Sequence, residues 1–327
     1  MKLLIAVHHF FDQWNAPTWF SERLRSDFPQ LNIVHLPDYK RLDAEIPDAE
    51  ILIAWSVRVE QINAAKKLRW IHSPAAAVHT LIFPELVARD IVITNARDVH
   101  GPVVAEHVIA LIFALAKKIP GAVELQQKHV WGQQLLWDER PRVREVAGAT
   151  LGLVGLGSIG RPVVKSAKAL GMRVVAVREH PEKGTDGADT VLGPAQINEV
   201  FRQADYVVLA APITDNTRAI ANAERLALMK PDACLINVGR GPLVDEAALA
   251  AALRAKKIGG AALDVFPKEP LPQDSPLWDL PNLLITPHTA ALTDRLWERH
   301  YALFSENLRR YLAGQPLLGA VDKRKGY

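Results

Sequence analysis

The sequence predicts an α/β protein made of two lobes, each built around a parallel sheet. Its 327 residues exceed what one ordinary core uses, since domains average roughly 150 residues. Short apolar runs alternate with longer mixed segments along most of the chain, as strands alternate with helices. A glycine-rich turn follows directly after one of these runs. These three observations indicate Rossmann-like or flavodoxin-like lobes.

The first hundred residues predict the first lobe. They contain four short apolar runs, separated by segments long enough for helices. The runs predicted as strands are Leu3–Val7, Ile33–Leu36, Ile51–Ala54 and Ile91–Thr94. The pattern changes at Gly101-Pro102, because proline is tolerated in the first turn of a helix and the stretch Val103–Ala116 is strongly helix-like. We therefore place a domain boundary after residue 100.

The second lobe is predicted from the rest of the chain. Residues 117–146 show no clear period, and we expect them to wrap the surface and to meet a partner subunit. Alternation then resumes as a doubly wound sheet. The predicted strands are Thr150–Val154, Arg173–Val177, Tyr206–Leu209, Leu235–Val238, Ala261–Val265 and Leu283–Thr286. The predicted helices are Ile159–Leu170, Glu246–Ala255 and Thr293–Leu312.

Composition excludes several classes of protein. The net charge of +3 is mild and the basic residues are scattered, so nucleic acid is not an expected partner. The run Leu3–Val7 is shorter than a signal-peptide core, and no apolar run approaches the roughly 20 residues of a membrane span. The single Cys234 excludes an internal disulfide and fits a reducing compartment. We expect a cytoplasmic protein with no membrane contact and no metal site.

The glycine turn predicts a dinucleotide site. Gly155-Leu156-Gly157-Ser158-Ile159-Gly160 follows one predicted strand and opens a predicted helix. Glycine spacing alone is weak evidence, but strand before and helix after is the context that places backbone amides and a helix N-terminus against a pyrophosphate. Gly155, Gly157 and Gly160 are therefore predicted to bind a dinucleotide.

The end of the next strand bears on which dinucleotide binds. An acidic residue here would accept hydrogen bonds from the adenosine ribose of NAD. Instead, the strand runs into Arg178, whose guanidinium suits the 2′-phosphate of NADP. Glu179 is the competing candidate, because a shift of one residue restores an NAD-type carboxylate. The sequence favours NADP and leaves NAD possible.

Three polar side chains follow predicted strands of the second lobe, at the edge where ligands bind to such sheets. Arg240 could clamp a carboxylate and polarise an adjacent carbonyl. His288 could pass the proton that accompanies a hydride, and Glu269 could orient that imidazole and favour its protonated form. Each also has a purely structural interpretation: a bridge between helix and sheet for Arg240, a loop acid for Glu269 and a buried imidazole for His288. Spacing alone does not establish that Glu269 and His288 touch.

Three ordered segments resemble a known family. They are Asn237–Glu246, Leu263–Phe266 with Glu269-Pro270, and Thr286–Thr289. Together with the glycine turn they are similar to the signature set of the D-isomer-specific 2-hydroxyacid dehydrogenases. The similarity covers nearly the whole chain.

The resemblance implies a role for each of these residues. Arg240 would be the substrate arginine, His288 the acid/base catalyst and Glu269 its carboxylate partner, while Asp264 would hold the nicotinamide amide. Further cofactor contacts implied are Ser158, Ile159, Ala211, Pro212, Thr217, Val238 and His288. It also implies a substrate-binding domain of residues 1–100 plus 290–327, a cofactor domain of residues 101–289 and a cleft between the lobes. We further expect a homodimer formed through the cofactor domain.

Two regions of the first lobe bear on the substrate. The family loop that offers amides to the substrate carboxylate is glycine-rich, whereas here Ala76 and Ala77 occupy it. Their amides can still donate, but a positive φ is costly for alanine. Trp55 ends a predicted strand at the ligand-facing edge, where lining the substrate pocket and plain packing are equally weighted interpretations.

The sequence thus predicts an NAD(P)-dependent dehydrogenase that reduces 2-oxo acids to D-2-hydroxy acids. Glyoxylate, hydroxypyruvate and larger 2-oxo acids are the candidate substrates, and phosphoglycerate is less favoured. Formate dehydrogenases of this family carry glutamine beside the histidine, so Glu269 argues against that activity. The alternative is a dinucleotide-sensing interaction protein of the corepressor type, which shares the fold and the same polar groups.

Overall fold

The computed structural model describes residues 1–76 and 78–324, which form two compact units. The first unit consists of Met1–His100 together with the chain from Thr293 onward, and the second is Gly101–Leu292. Each unit contains one sheet, of five and seven strands respectively, in which all neighbouring strands pair in parallel. The predicted α/β class with two parallel-sheet lobes is confirmed.

The sheet of the first unit has the order β2-β1-β3-β4-β5. Its strands are β1 (Lys2–Ala6), β2 (Asn32–His35), β3 (Ile51–Ala54), β4 (Trp70–Ser73) and β5 (Val92–Asn95). The helices of this unit are α1 (Thr18–Asp27), α2 (Leu42–Glu45), α3 (Val59–Ala64), α4 (Pro84–Val87) and α12 (Leu296–Leu312). Strand β4 was absent from the prediction because two of its four residues, His72 and Ser73, are polar. Both are buried, and the His72 ring lies 2.8 Å from Thr94 Oγ1.

The sheet of the second unit has the order β12-β11-β10-β9-β6-β7-β8. Its strands are β6 (Thr150–Val154), β7 (Arg173–Val177), β8 (Thr190–Leu192), β9 (Tyr206–Leu209), β10 (Cys234–Asn237), β11 (Gly260–Leu263) and β12 (Leu283–Ile285). The helices are α5 (Gly101–Ala116), α6 (Ile119–Gln127), α7 (Gln133–Asp138), α8 (Gly160–Ala169), α9 (Ile197–Gln203), α10 (Ala223–Leu228) and α11 (Glu246–Arg254). The strand order reverses between β6 and β9, and ligands of doubly wound sheets bind in the crevice at such a reversal.

The central strands of the second unit are buried on both faces. Val175 and Val177 pack into one apolar cluster, while Val174 and Ala176 pack into another on the opposite face. A strand covered by helices on both faces has a continuous apolar sequence, because the side chains on each face are buried in a hydrophobic core. This is why β6, β7 and β9 could be predicted from the sequence.

Residues 117–146, for which no helix or strand was predicted, do contain regular structure. They contain α6 and α7, which are short and have no buried residue, so no strong apolar period marks them. No helix of the described residues has both the length and the apolar composition needed to cross a membrane.

Candidate functional site

The glycine turn lies at the carboxyl end of β6, beside the reversal of strand order. Gly155 has φ of 106°, and a Cβ there would lie 2.8 Å from the backbone of Ala210 and Ala211. A Cβ at Gly160 would lie 2.3 Å from the Gly155 carbonyl oxygen. Only glycine fits these two positions, since a real side chain has no room. The turn is therefore packed tightly against the end of β9.

The middle glycine of the turn has a different environment. A Cβ at Gly157 would meet no atom within 4 Å, so its backbone faces open space. Ser158 and Ile159 follow at intermediate exposure, directly before α8 begins. An open glycine before a helix N-terminus is a cradle that fits a pyrophosphate, because free amides and the helix dipole both favour an anion.

The segments after β9 and β10 lie next to this turn. Thr217 Oγ1 donates to the Pro212 carbonyl at 2.7 Å, which closes the loop that begins at Ala211. The Val238 amide donates to the Leu209 carbonyl at 3.2 Å, and the Val238 side chain is buried. These predicted cofactor residues thus sit on the adjacent strand ends, at the same edge as the glycine turn.

Arg178 and Glu179 lie at the carboxyl end of β7, as the sequence implied. The Arg178 guanidinium donates to the Gly184 carbonyl and to the Asp186 carboxylate, and Glu179 is exposed. Arg178 and Glu179 therefore both lie at the strand end where a residue that binds the adenosine ribose is expected.

Asp264 follows β11 and is a buried carboxylate held by several donors. Its Oδ1 accepts from Thr286 Oγ1 at 2.6 Å and from the Thr289 amide at 2.8 Å, while Oδ2 accepts from the Ala290 amide at 3.1 Å. His107 Nε2 lies 3.6 Å from Oδ1, and burial lowers the pKa of His107 although Asp264 opposes that shift. Asp264 thus fixes the segment that carries His288.

His288 and Glu269 form a direct pair. His288 Nδ1 lies 2.6 Å from Glu269 Oε2, and Glu269 Oε1 accepts from the Phe266 amide at 2.9 Å. His288 has φ of 53°, and its amide donates to the Asp264 carbonyl at 2.9 Å. A carboxylate on Nδ1 fixes the tautomer with a proton there. Nε2 is then the ring nitrogen available to a ligand, on a side chain that is 41% exposed.

Arg240 follows β10 through Gly239. Its Nη1 donates to the Gly239 carbonyl at 2.6 Å, which leaves other N–H donors of the guanidinium for a ligand. Burial lowers the pKa of Arg240, and the Glu269 carboxylate opposes that shift. An arginine nevertheless stays charged at neutral pH. A partly desolvated guanidinium is a strong carboxylate ligand, since water competes less for its donors.

Asn237, which was not among the predicted site residues, supports the turn that carries Arg240. Its Nδ2 donates to the Arg240 carbonyl at 2.9 Å and its Oδ1 accepts from the Gly239 amide at 3.1 Å. A Cβ at Gly241 would lie 1.9 Å from the Phe266 carbonyl carbon, so glycine alone permits this approach of the two segments. The signal available in the sequence was the pair of glycines that flank Arg240.

The structure brings Arg240, Glu269 and His288 to the ends of β10, β11 and β12, which are neighbours in the sheet. The predicted residues of the first unit lie at the carboxyl ends of its own strands. The Trp55 carbonyl accepts from Thr80 Oγ1 at 2.9 Å, and the Ala76 carbonyl accepts from Asn95 Nδ2 at 2.7 Å. Ala77 lies outside the described residues.

The second unit matches a known family over most of its length. Residues 109–290 match the family described as D-isomer specific 2-hydroxyacid dehydrogenase, NAD binding domain. Over 274 residues the chain is 36% identical to a D-3-phosphoglycerate dehydrogenase of Methanocaldococcus jannaschii, a match covering 83% of this chain. That match covers only 51% of the relative, so the chain corresponds to about half of its length.

Two further similarities cover most of both proteins. A glycerate dehydrogenase of Methylorubrum extorquens is 34% identical over 265 residues, which are 80% of this chain and 81% of the relative. A D-isomer specific 2-hydroxyacid dehydrogenase from Xanthobacter autotrophicus Py2, solved in complex with NADPH and MES, is 28% identical. Its structure superposes with a TM-score of 0.82 and covers 100% of this chain and 99% of that one.

Proposed function

The chain belongs to the D-isomer specific 2-hydroxyacid dehydrogenase family of NAD(P)-dependent enzymes, and we propose that it reduces a 2-oxo acid to the D-2-hydroxy acid. The observation that carries this proposal is the His288–Glu269 pair beside Arg240, at the ends of adjacent strands. A general acid, its orienting carboxylate and a carboxylate clamp are the groups this reduction requires.

The residues that would hold the cofactor follow the glycine turn and the neighbouring strand ends. The amides around Gly157, Ser158 and Ile159 would bind the pyrophosphate, and Arg178 would meet the adenosine ribose. Asp264 Oδ2 accepts a hydrogen bond from the Ala290 amide, and by the family resemblance this carboxylate would also hold the nicotinamide amide. When bound, the dinucleotide supplies a hydride to the 2-carbon of the substrate.

The three polar residues would then act on the substrate in distinct ways. Arg240 binds the carboxylate and polarises the adjacent carbonyl, because its donors are charged and partly shielded from water. His288 gives the Nε2 proton to the 2-oxo oxygen as that oxygen gains negative charge. Glu269 holds the ring by Nδ1 and compensates its positive charge. In the reverse direction His288 accepts the same proton.

We propose glyoxylate, hydroxypyruvate or a larger 2-oxo acid as the substrate and NADPH as the favoured donor. The name of the Methylorubrum extorquens relative supports a small hydroxy acid, and the NADPH complex of the Xanthobacter autotrophicus protein supports the donor. Contacts of Trp55 and Ala76 with the substrate stay predictions.

The test is a panel of 2-oxo acids offered to the purified protein with NADPH and then with NADH. We expect consumption of the reduced cofactor, seen as loss of its absorbance, with at least one acid of the panel and a D-configured product. A protein that binds the dinucleotide but reduces no 2-oxo acid would contradict the proposed reaction.

We also infer that a second copy of the chain covers the outer surface of α6, α7 and the turn between them. Apolar side chains in this segment are largely exposed, and apolar patches of this kind mark interfaces. They are Ile119, Val123, Val130, Trp131, Leu135 and Trp137.

The oligomeric state tests this inference through Trp131, which is 95% exposed. Light scattering should give a dimer mass for the wild type and a shift toward monomer for Trp131→Ser. The control is Trp278→Ser, an exposed tryptophan elsewhere in the second unit. A monomeric wild type, or a Trp131→Ser variant as dimeric as the control, would contradict it.

A further inference from the structure

The loop that follows β7 holds Arg178 by two hydrogen bonds. Arg178 Nη1 donates to Asp186 Oδ2 at 2.8 Å and to the Gly184 carbonyl at 3.1 Å. The side chains of Arg178 and Asp186 are 15% and 33% exposed. The guanidinium at the end of this strand is therefore already paired with a carboxylate.

The backbone conformation of this loop brings the Asp186 carboxylate back to the end of β7. Gly184 has φ of 101°, Asp186 of 47° and Gly187 of 87°. Three positive φ values within four residues turn the chain sharply, and aspartate tolerates such a conformation better than most residues with a side chain. Because Gly184 and Asp186 both bind one nitrogen of Arg178, the ion pair is part of the loop fold.

The paired guanidinium keeps some capacity for a further anion. Arginine has five N–H donors, and the two on Nη1 are those that face Gly184 and Asp186. Within residues 1–76 and 78–324, Nη2 and Nε make no hydrogen bond, so these donors can meet a 2′-phosphate. The positive charge, however, is already compensated by Asp186, and a phosphate bound here would lie near that carboxylate.

The charges of the surrounding segment also lower the affinity for a phosphate. Between residues 178 and 186 there are two basic residues, Arg178 and Lys183, and three acidic ones, Glu179, Glu182 and Asp186. Like charges close together raise the free energy of binding, and a dianionic phosphate feels each carboxylate twice as strongly as a monoanion. This segment is thus a weaker phosphate site than its arginine alone suggests.

We propose that Asp186 determines cofactor specificity: it positions Arg178 and at the same time lowers the affinity for the 2′-phosphate. The chain then favours NADPH over NADH only modestly. This inference rests on the proposed function in one respect, that a nicotinamide dinucleotide binds at this edge of the sheet.

Direct binding separates this inference from catalysis. The dissociation constants of NADPH, NADH and 2′,5′-ADP are measured by calorimetry on the full-length wild type and on Asp186→Asn. The amide has the shape of the carboxylate and can still accept from Arg178, so this variant removes charge and keeps the anchor. We expect NADPH and 2′,5′-ADP to bind about fivefold more tightly and NADH to change less than about twofold.

The matched control is Glu199→Gln, which removes a carboxylate of the second unit that lies outside this loop, on α9, where it pairs with Arg202. We expect it to change the NADPH affinity less than about twofold. An unchanged or weaker NADPH affinity in Asp186→Asn, or an equal gain in the control, would overturn the role of Asp186. A wild type that binds neither dinucleotide would overturn the proposed function as well, so the two failures are distinguishable.

Discussion

Histidine is used in opposite ways in two regions of the protein. In the core of the first unit, burial lowers the pKa of His72 to about 3 and holds the pKa of His300 well below its ordinary value. At the sheet edge of the second unit, His288 is 41% exposed and pairs with Glu269 at 2.6 Å. A carboxylate partner and access to solvent, not the residue type, distinguish the histidine for which we propose proton transfer from the histidines that pack in the core.

The largest effect on the sheet-edge site of the second unit is expected from a substitution that removes the guanidinium of Arg240. We expect Arg240→Gln to lower kcat/KM for a 2-oxo acid on the order of a thousandfold, because both carboxylate binding and polarisation of the carbonyl depend on the charge. This kcat/KM is measured by steady-state kinetics. The control is Arg254→Gln, at the exposed end of α11. An unchanged substrate response would remove Arg240 from the proposed site.

A smaller effect is expected when the partner of His288 loses its charge. Glu269→Gln keeps an oxygen for the Phe266 amide but no longer compensates a protonated imidazole. We expect kcat to fall about ten- to a hundredfold, while Glu199→Gln, at a half-exposed position of α9, leaves it unchanged. Equal kcat values in the two variants would argue that the pair is structural, like the buried histidines.

The core of the first unit should lose stability in acid because of the buried His72. The unfolded chain protonates His72 near its ordinary pKa of 6.5, whereas the folded protein does so only near 3. Stability from this group is therefore present above pH 6.5 and is lost as pH falls toward 3. Between pH 7 and 5 we expect a loss of about 2 kcal/mol in the free energy of unfolding from His72.

The variant His72→Gln tests the origin of that loss. It lacks the titrating group, so its unfolding free energy, measured by urea denaturation, should depend less steeply on pH in this range. The slope is the readout, whatever the overall stability of the variant. A slope identical to that of the wild type would show that His72 is not the source.

The smallest kinetic effect is expected from a substitution of Asn237, whose side chain holds the turn that carries Arg240. Asn237→Ala removes two hydrogen bonds of the turn but leaves the guanidinium in place. We expect KM for the 2-oxo acid to rise about fivefold, with a smaller change in kcat. A kcat that falls while KM stays constant would contradict a role confined to positioning.

Much of the fold could be predicted because the central strands meet a core on each face. Strand β8 could not, since Thr190, Val191 and Leu192 are half-buried at a sheet edge and form a very short run. Strand β4 was hidden because polar residues are buried in it, and both Trp70 Nε1 and His72 Nδ1 lie 2.8 Å from Thr94 Oγ1. Burial of a paired polar group leaves no apolar signal in a sequence.

The candidate site was predictable only in its parts. Arg240 and His288 could be proposed because each follows a predicted strand, but His288 and Glu269 lie 19 positions apart in the sequence and no spacing rule joins them. Their contact depends on the positive φ of His288 and on the hydrogen bond from its amide to the Asp264 carbonyl. Asp186 was not identified at all, because the sequence shows only an acidic residue in a loop and its contact with Arg178 is formed by the folded chain.

The proposed role of His288 is tested most directly by comparing His288→Asn with the wild type. We expect reduction of the best 2-oxo acid to fall on the order of a thousandfold, because the proposed proton donor is lost. The dissociation constant of NADPH, measured on the same preparation, should stay within about threefold, since His288 is only one of several predicted contacts. Full turnover by His288→Asn would contradict the role of the His288–Glu269 pair.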